Sequence, residues 1–111
     1  MPLYIATIQN RQGDECDRAS SVDAHRQYLR AHAWRILLGG AVLDETETKL
    51  IGAVYVFEAD DLTSAQGFVN DDPLSVAGLR ETIIVRPWRQ ALFDREFVLG
   101  TAKAGAPFPG E

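Results

Sequence analysis

Residues 60–87 most constrain what this 111-residue chain can fold into. Asp60 or Asp61 can cap a helix, and Pro73 stops that helix because a proline pushes the residue before it out of helical geometry. A β-rich run at residues 79–85 then predicts a strand, which ends at Pro87. The segment therefore predicts a short helix, an abrupt stop and a strand. The predicted buried face of the helix consists of Leu62, Ala65, Phe68 and Val69.

The first half of the chain predicts three strands and one longer helix. Hydrophobic alternation predicts a strand at residues 3–8, and a polar loop follows at residues 10–17. A helix then begins at Ser20 or Ser21 and ends around Trp34. The second and third strands are predicted at residues 36–43 and 50–57, and a charged hairpin connection joins them. The order β-α-β-β-α-β predicts an α+β, ferredoxin-like antiparallel sheet with two helices on one face.

The strands are apolar on both sides, although only one face of such a sheet is covered by helices. The third strand places Ile51, Tyr55 and Phe57 on one side and Leu50, Val54 and Val56 on the other. The face without helices therefore needs a cover, and the sheet of a second copy is the simplest one. We expect a homodimer, and the sequence leaves a higher assembly of dimers open.

The residues beyond the last strand predict a separate extension. We expect one domain over residues 1–89 and an extension over residues 90–111. Its first half is too apolar for a free tail, so packing is expected there, and disorder is expected from Gly100 onward.

Composition argues against several classes of function. The net charge of −5, without a basic stripe, disfavours nucleic-acid binding. The apolar runs are far shorter than the roughly 20 residues that span a bilayer. The single cysteine, Cys16, cannot form an internal disulfide, so a cytoplasmic location is expected. The chain has no Cys/His cluster and no glycine-rich phosphate loop, so neither a metal nor another cofactor is predicted.

Two residues are the strongest candidates for chemistry, His25 and Asp72. His25 lies on the apolar stripe of the first predicted helix, where a histidine is either a hydrogen-bonded core residue or a general base. A general base needs a carboxylate to fix its tautomer, and Asp72, next to the Pro73 stop, is the natural partner. Asp72 has an alternative structural role, because an aspartate before a proline often caps the turn that follows.

Three further residues are predicted to contact a small-molecule ligand: Gly40, Tyr28 and Arg86. Gly40 belongs to a Gly-Gly pair within a predicted strand, which is typical of a bulge or of close approach to the backbone. Arg86 can bind a carboxylate at a pocket rim.

The run FEADDLTSAQGFVNDDPLSVAGLRETIIVRPWR resembles the second half of YciI-like (YCII-related) proteins. Those proteins carry a helix that ends in Asp-Pro, then Ala-Gly-Leu, then a strand that ends near Arg-Pro-Trp. The run HRQYLRAHAWRILLGGAVLDE is similar to their first helix and second strand. Members often have an arginine three residues before the histidine, where this chain has Val22, so the resemblance implies that an anion-binding group is missing.

The resemblance implies a ferredoxin-like fold that dimerises into an α+β barrel, with a dyad that corresponds to His25 and Asp72. Most members have no assigned reaction, one related enzyme removes chloride from a chlorinated hydroxyquinol, and barrel relatives isomerise muconolactones. We therefore expect a small lyase or isomerase that uses His25 as general acid and base. The alternatives are a non-catalytic small-molecule-binding or accessory homodimer and, on the same barrel fold, a cofactor-free monooxygenase.

Overall fold

The structure is a computed structural model that describes residues 2–13 and 15–98, apart from the side chains of residues 15–17. Its elements are β1 (Leu3–Asn10), α1 (Glu15–Ala31), a 3₁₀ turn (Ala33–Arg35), β2 (Ile36–Leu43), β3 (Leu50–Glu58), α2 (Leu62–Asn70), α3 (Pro73–Val76), β4 (Arg80–Trp88), β5 (Leu92–Phe93) and β6 (Glu96–Phe97). The predicted disorder from Gly100 onward concerns residues outside the described part of the chain.

The four long strands form one antiparallel sheet in the order β2-β3-β1-β4. In the centre of that sheet, Ala6 of β1 lies between Tyr55 of β3 and Val85 of β4. Together with the helices, this sheet confirms the predicted α+β, ferredoxin-like arrangement. Two elements were not predicted, the four-residue helix α3 and the separate β5-β6 hairpin.

The core lies between the helices and one face of the sheet. Alternation along β1 turns Tyr4, Ala6 and Ile8 toward the helices, where all three are buried. From α2, Phe68 packs in the same cluster, and its ring centroid lies 4.8 Å from that of the fully buried Phe57. Burying one such aromatic side chain contributes roughly 1.5–3 kcal/mol. This shared core fixes how α1 and α2 sit over the sheet.

Residues 11–13 form part of the predicted loop, but helix α1 begins at Glu15, so the predicted loop ends too late and the predicted start at Ser20 or Ser21 is wrong. Glu15, Arg18 and Ala19 belong to residue types with good helix propensity. This propensity outweighs the capping preference of the serines, which lie within the helix. The longer helix includes Arg18.

Two further predictions about residues 60–88 need correction. Leu62 was predicted to be buried but is 39% exposed. It is the first residue of α2 and precedes the part of the helix whose apolar face packs on the core. Pro87 does not end the last strand, since β4 continues to Trp88 with Pro87 opposite Tyr4. A proline is tolerated there because β4 is an edge strand, which needs backbone hydrogen bonds on one side alone.

The sheet face away from the helices carries exposed apolar side chains. Leu38, Val42 and Ile84 lie on it with 47%, 39% and 41% of their surface exposed. The residues after β4 form the small hairpin of β5 and β6, which also exposes Leu92 and Phe97. Such a face is typical of an interface, and the homodimer remains a prediction. Among the described residues, no helix is long and apolar enough to cross a membrane.

Candidate functional site

A cavity of about 300 Å³ lies between α1 and the strands β2 and β3. Four of its polar lining residues come from separate parts of the chain: Arg18 and His25 from α1, Tyr55 from β3 and Arg80 from β4. The first two are seven residues apart, which places them two turns apart on one helix face. Small residues of β2 and β3 leave the space that these side chains surround.

His25 and Asp72 are in hydrogen-bonding contact at the wall of this cavity. The Nδ1 atom of His25 lies 2.7 Å from Oδ2 and 2.9 Å from Oδ1 of Asp72. The two side chains are 12% and 3% exposed, so water competes little for the contact. The structure thus brings together the two residues that the sequence singled out, although they are 47 positions apart.

The backbone around Pro73 explains why Asp72 points at His25. Helix α2 ends at Asn70, and Pro73 opens α3 at its first position, where its missing N–H costs nothing. Asp72 is the N-cap of α3, and its Oδ1 accepts a hydrogen bond of 2.9 Å from the backbone N–H of Leu74. The capping role and the contact with His25 are therefore compatible, because the carboxylate of Asp72 makes both contacts at once.

Arg80 completes the environment of the carboxylate. Its Nη2 lies 3.4 Å from Oδ2 of Asp72, and its Nη1 donates a 2.8 Å hydrogen bond to the hydroxyl of Ser75. That hydroxyl in turn donates to the carbonyl of Val69. Arg80 is thereby tied to the end of α2, to α3 and to the carboxylate together.

Asp72 is ionised at neutral pH. Burial alone would raise the pKa of its carboxyl, but the hydrogen bond from His25, the charge of Arg80 and the N–H of Leu74 outweigh burial and lower that pKa. An ionised carboxylate only accepts hydrogen bonds, so Nδ1 of His25 must carry the proton. In the neutral imidazole, Nε2 then presents a free lone pair, which is what a general base requires.

Tyr55 faces that free nitrogen. Its hydroxyl lies 3.5 Å from Nε2 of His25, a long contact that a ligand oxygen can replace. Burial and the charge of Asp72 raise the pKa of the Tyr55 phenol, although Arg80 and Arg18 act in the opposite direction. The phenol therefore keeps its proton and remains a hydrogen-bond donor at neutral pH.

Gly39 makes room for the Tyr55 ring. A Cβ atom at position 39 would overlap Cδ1 of Tyr55 and would lie 2.8 Å from its Cε1. The ring lies across β2 because this strand residue has no side chain. The expected close approach at the Gly-Gly pair is thus found at Gly39, and a Cβ atom on Gly40 would have nothing within 4 Å.

The cavity is basic. Among the described residues, every charged side chain that lines it is positive or can become so: Arg18, His25, Arg26 and Arg80. Burial and the charge of Arg80 lower the pKa of the Arg18 guanidinium. Val22 lines the same cavity, where Arg18, one turn earlier, and Arg80 provide positive charge.

The three predicted ligand contacts lie in different places. Gly40 lines the His25 cavity. Tyr28 lines a separate groove beside α2, where its hydroxyl donates a 2.7 Å hydrogen bond to the carbonyl of Phe68. Arg86 pairs with Ile5 on the opposite face of the sheet from His25. Of these three residues, the structure brings Gly40 alone into the His25 cavity.

Sequence reasoning missed Arg18, Tyr55 and Arg80. Arg18 lay between the predicted loop over residues 10–17 and the predicted helix start at Ser20 or Ser21, and Arg80 was one unremarkable residue of the strand predicted at residues 79–85. Alternation along β3 did place Tyr55 on the same side as Phe57, which was the one available signal. Within the described part of the chain, no group of three or more His, Cys, Asp or Glu side chains could hold a metal ion.

Together, the fold and the cavity define a class: a small α+β domain in which a carboxylate holds a histidine against a basic pocket. The YCII-related domain family matches residues 2–89 of this chain. The chain therefore belongs to the YCII-related family.

The chain is similar to two solved structures. With 5-chloro-2-hydroxyhydroquinone dehydrochlorinase (TftG) from Burkholderia phenoliruptrix AC1100, in complex with 2,5-dihydroxybenzoquinone, it shares 27% identity and a TM-score of 0.71. That match covers 78% of this chain and 93% of the dehydrochlorinase. With protein Atu4242 from Agrobacterium tumefaciens it shares 17% identity and a TM-score of 0.49, over 84% of this chain and 96% of the other. No curated protein matches the chain at a comparable level of significance.

Proposed function

We propose that this protein is a lyase or isomerase that acts on a small enol or phenol, with His25 as general acid and base and Asp72 as its orienting partner. The observation that carries the proposal is the 2.7 Å contact between Nδ1 of His25 and Asp72, which leaves Nε2 free beside the cavity. The 27% identity to a dehydrochlorinase over 93% of that enzyme favours this chemistry.

Loss of HCl from a chlorinated trihydroxybenzene suits one imidazole, because the net change is redox-neutral. A hydroxyl proton first leaves oxygen while the ring carbon that bears chlorine gains a proton, which forms a ketone. A second hydroxyl then loses its proton, and chloride leaves with the electron pair of the C–Cl bond. The product is a hydroxyquinone. His25 can donate and accept these protons through Nε2 while Asp72 stabilises the imidazolium in between.

The test is chloride release from 5-chloro-2-hydroxyhydroquinone, measured above the spontaneous rate. We expect the variant His25→Gln to lower kcat/KM by about 100-fold, since general acid–base catalysis typically contributes 10²–10⁴-fold. The matched control is His32→Gln on the same helix, because His32 lies in the separate groove against Tyr28. Equal turnover by His25→Gln and wild type would refute the dyad. Binding of the hydroxyquinone without turnover of chlorinated phenols or enol lactones would favour the non-catalytic binding protein.

We also propose that two copies associate through the sheet faces that lie away from the helices. Support comes from the exposed apolar residues Leu38, Val42 and Ile84 on that face. Size-exclusion chromatography with light scattering should give twice the mass of one chain for the wild type and one chain mass for Ile84→Asp. The control is Leu62→Asp, since Leu62 is similarly exposed but lies on the helix side. A monomeric wild type at micromolar concentration would exclude this dimer.

A further inference from the structure

A second cavity adjoins the His25 cavity where β1 ends. It has a volume of about 570 Å³, against about 300 Å³ for the His25 cavity. Asn10 and Leu50 line both cavities, and Nδ2 of Asn10 donates a 3.2 Å hydrogen bond to the carbonyl of Leu50. The two cavities therefore meet at this pair of residues, and a ligand beside His25 can continue past them. The proposed reaction at Nε2 of His25 makes no use of the second cavity.

One side of the second cavity is apolar. It consists of Leu50 and Ile51 at the start of β3, with 48% and 44% of their surface exposed. In the ladder between β2 and β3, Val42 pairs with Gly52 and Leu43 pairs with Leu50, so Ile51 is an extra residue without a partner in β2. Bulges of this kind change the direction of a side chain and are frequent beside active sites. An apolar part of a ligand that packs on these two side chains is removed from water.

The charged side chains of the second cavity have a positive balance. Among the described residues that line it, Arg11 and Lys49 are positive and Asp44 is negative. Asp44 belongs to the turn between β2 and β3, where its Oδ1 accepts hydrogen bonds from the hydroxyl of Thr46 and the backbone N–H of Thr48. The carboxylate of Asp44 therefore stabilises its own turn, and the two cations face the cavity with one acidic neighbour.

Lys49 is the cation that a ligand can bind most directly. The residue is exposed, and within the described part of the chain its ammonium makes neither a hydrogen bond nor an ion pair. Arg11 differs, because its Nε donates a 3.0 Å hydrogen bond to the carbonyl of Gly78, which fixes the guanidinium at the cavity wall. Lys49 directly precedes Leu50, so a negative charge bound to its ammonium lies next to the apolar side. The cavity therefore suits a chain that is apolar along its length and negatively charged at its end.

From these observations we infer that the substrate continues from the His25 cavity into the second cavity as an apolar chain that ends in a carboxylate. Leu50 and Ile51 contact the chain, and Lys49 binds the carboxylate, with Arg11 as an additional positive charge. The inference rests on the proposed function for the enol or phenol ring beside His25. It adds the substrate class, which is a ring with a carboxyalkyl side chain instead of a bare ring.

The test compares the equilibrium binding of three quinones at neutral pH by calorimetry. The first is the bare 2,5-dihydroxybenzoquinone, the second carries a carboxybutyl chain on its ring, and the third carries the uncharged carbamoylbutyl chain. We expect the carboxybutyl compound to bind at least tenfold more tightly than the bare quinone, since each methylene group removed from water contributes roughly fourfold. The carbamoylbutyl compound should bind about fivefold more weakly than the acid, which is the upper range for an ion pair that water reaches.

Two variants assign these effects to the second cavity. Lys49→Met should weaken binding of the carboxybutyl compound about fivefold and leave the carbamoylbutyl compound within twofold of the wild type. Ile51→Ser should weaken both compounds that carry a chain and leave the bare quinone unchanged, because Ile51 lines the second cavity and not the His25 cavity. The matched controls are Arg30→Met and Leu92→Ser, which change exposed residues outside both cavities and should affect none of the three quinones.

The possible outcomes separate this inference from the proposed function. Equal affinity for the bare and the carboxybutyl quinone, or an unchanged Lys49→Met, would overturn the inference while the bare quinone still binds beside His25. If none of the three quinones bound to the wild type, the ring assignment and the chain assignment would both be wrong. Because binding is measured without turnover, inactivity of the His25 dyad leaves the result unaffected.

Discussion

Replacement of Asp72 by alanine is expected to lower the free energy of unfolding by about 3–5 kcal/mol. The substitution leaves the buried charge of Arg80 without its carboxylate and Nδ1 of His25 without an acceptor. It also removes the cap on the N–H of Leu74, which contributes about 1 kcal/mol in typical helices. Urea denaturation with linear extrapolation measures the difference.

The neighbouring aspartate provides the control for this prediction. Asp71 is exposed at the end of α2, so Asp71→Ala should change the free energy of unfolding by less than about 0.5 kcal/mol. If Asp72→Ala were as mild as Asp71→Ala, the carboxylate would contribute little to the fold. Its contact with His25 would then have to be explained by function alone.

Acid pH offers an independent check on the same carboxylate. The pKa of Asp72 in the folded protein lies below its value of about 3.9 in unfolded chains. The stabilisation is therefore fully present above that unfolded value and is lost as the pH falls through the folded pKa. The variant Asp72→Asn lacks this titration, so its stability should approach that of the wild type as the pH drops below about 4. A constant difference at all pH values would contradict the ionised carboxylate.

The region around Asp72 shows what the sequence could reveal. A cap and a proline stop are local signals, since they depend on residues within one turn of each other. Those signals located Asp72 at a helix boundary, and the apolar stripe of the first helix located His25. The sequence left two roles open for Asp72, capping and orientation of the histidine. The geometry shows that one carboxylate can make both contacts, because its oxygens face the N–H of Leu74 and Nδ1 of His25 together.

The remaining cavity residues depend on long-range packing. Arg80 looks like the charged first residue of a strand, and only the fold places α3 and Ser75 around its guanidinium. Arg86, which had the same local character, lies on the other face because alternation along β4 puts even-numbered positions 82, 84 and 86 there. Arg80 is also an even-numbered position, yet it lies on the helix side of the sheet. The reason is that the register between β4 and β1 shifts between Gln9 and Asn10. Such a shift has no local sequence signal, so it could not have been predicted.

The second large effect is expected for Gly52→Ala, which should lower the free energy of unfolding by about 3 kcal/mol, the upper end of the usual range for overpacked sites. Gly52 lies in β3 and pairs with Gln9 of β1 and Val42 of β2. A Cβ atom there would overlap the carbonyl oxygen of Ile8 and would lie 3.2 Å from its carbonyl carbon. Backbone atoms of a central strand cannot move aside unless β1 and β3 separate.

The other cavity glycines make this prediction selective. Gly40→Ala should change stability by less than about 0.5 kcal/mol, since the new methyl group meets nothing within 4 Å. The loss of stability for Gly39→Ala should lie between the losses for Gly52→Ala and Gly40→Ala. The atoms in the way belong to the Tyr55 side chain, which can shift more easily than a backbone. Thermal and urea denaturation of the three variants should therefore give the order Gly52, Gly39, Gly40 from most to least destabilised. A mild Gly52→Ala would mean that β1 and β3 approach less closely, and the floor of the cavity, which Gly52 and Ala53 form, would then be wider.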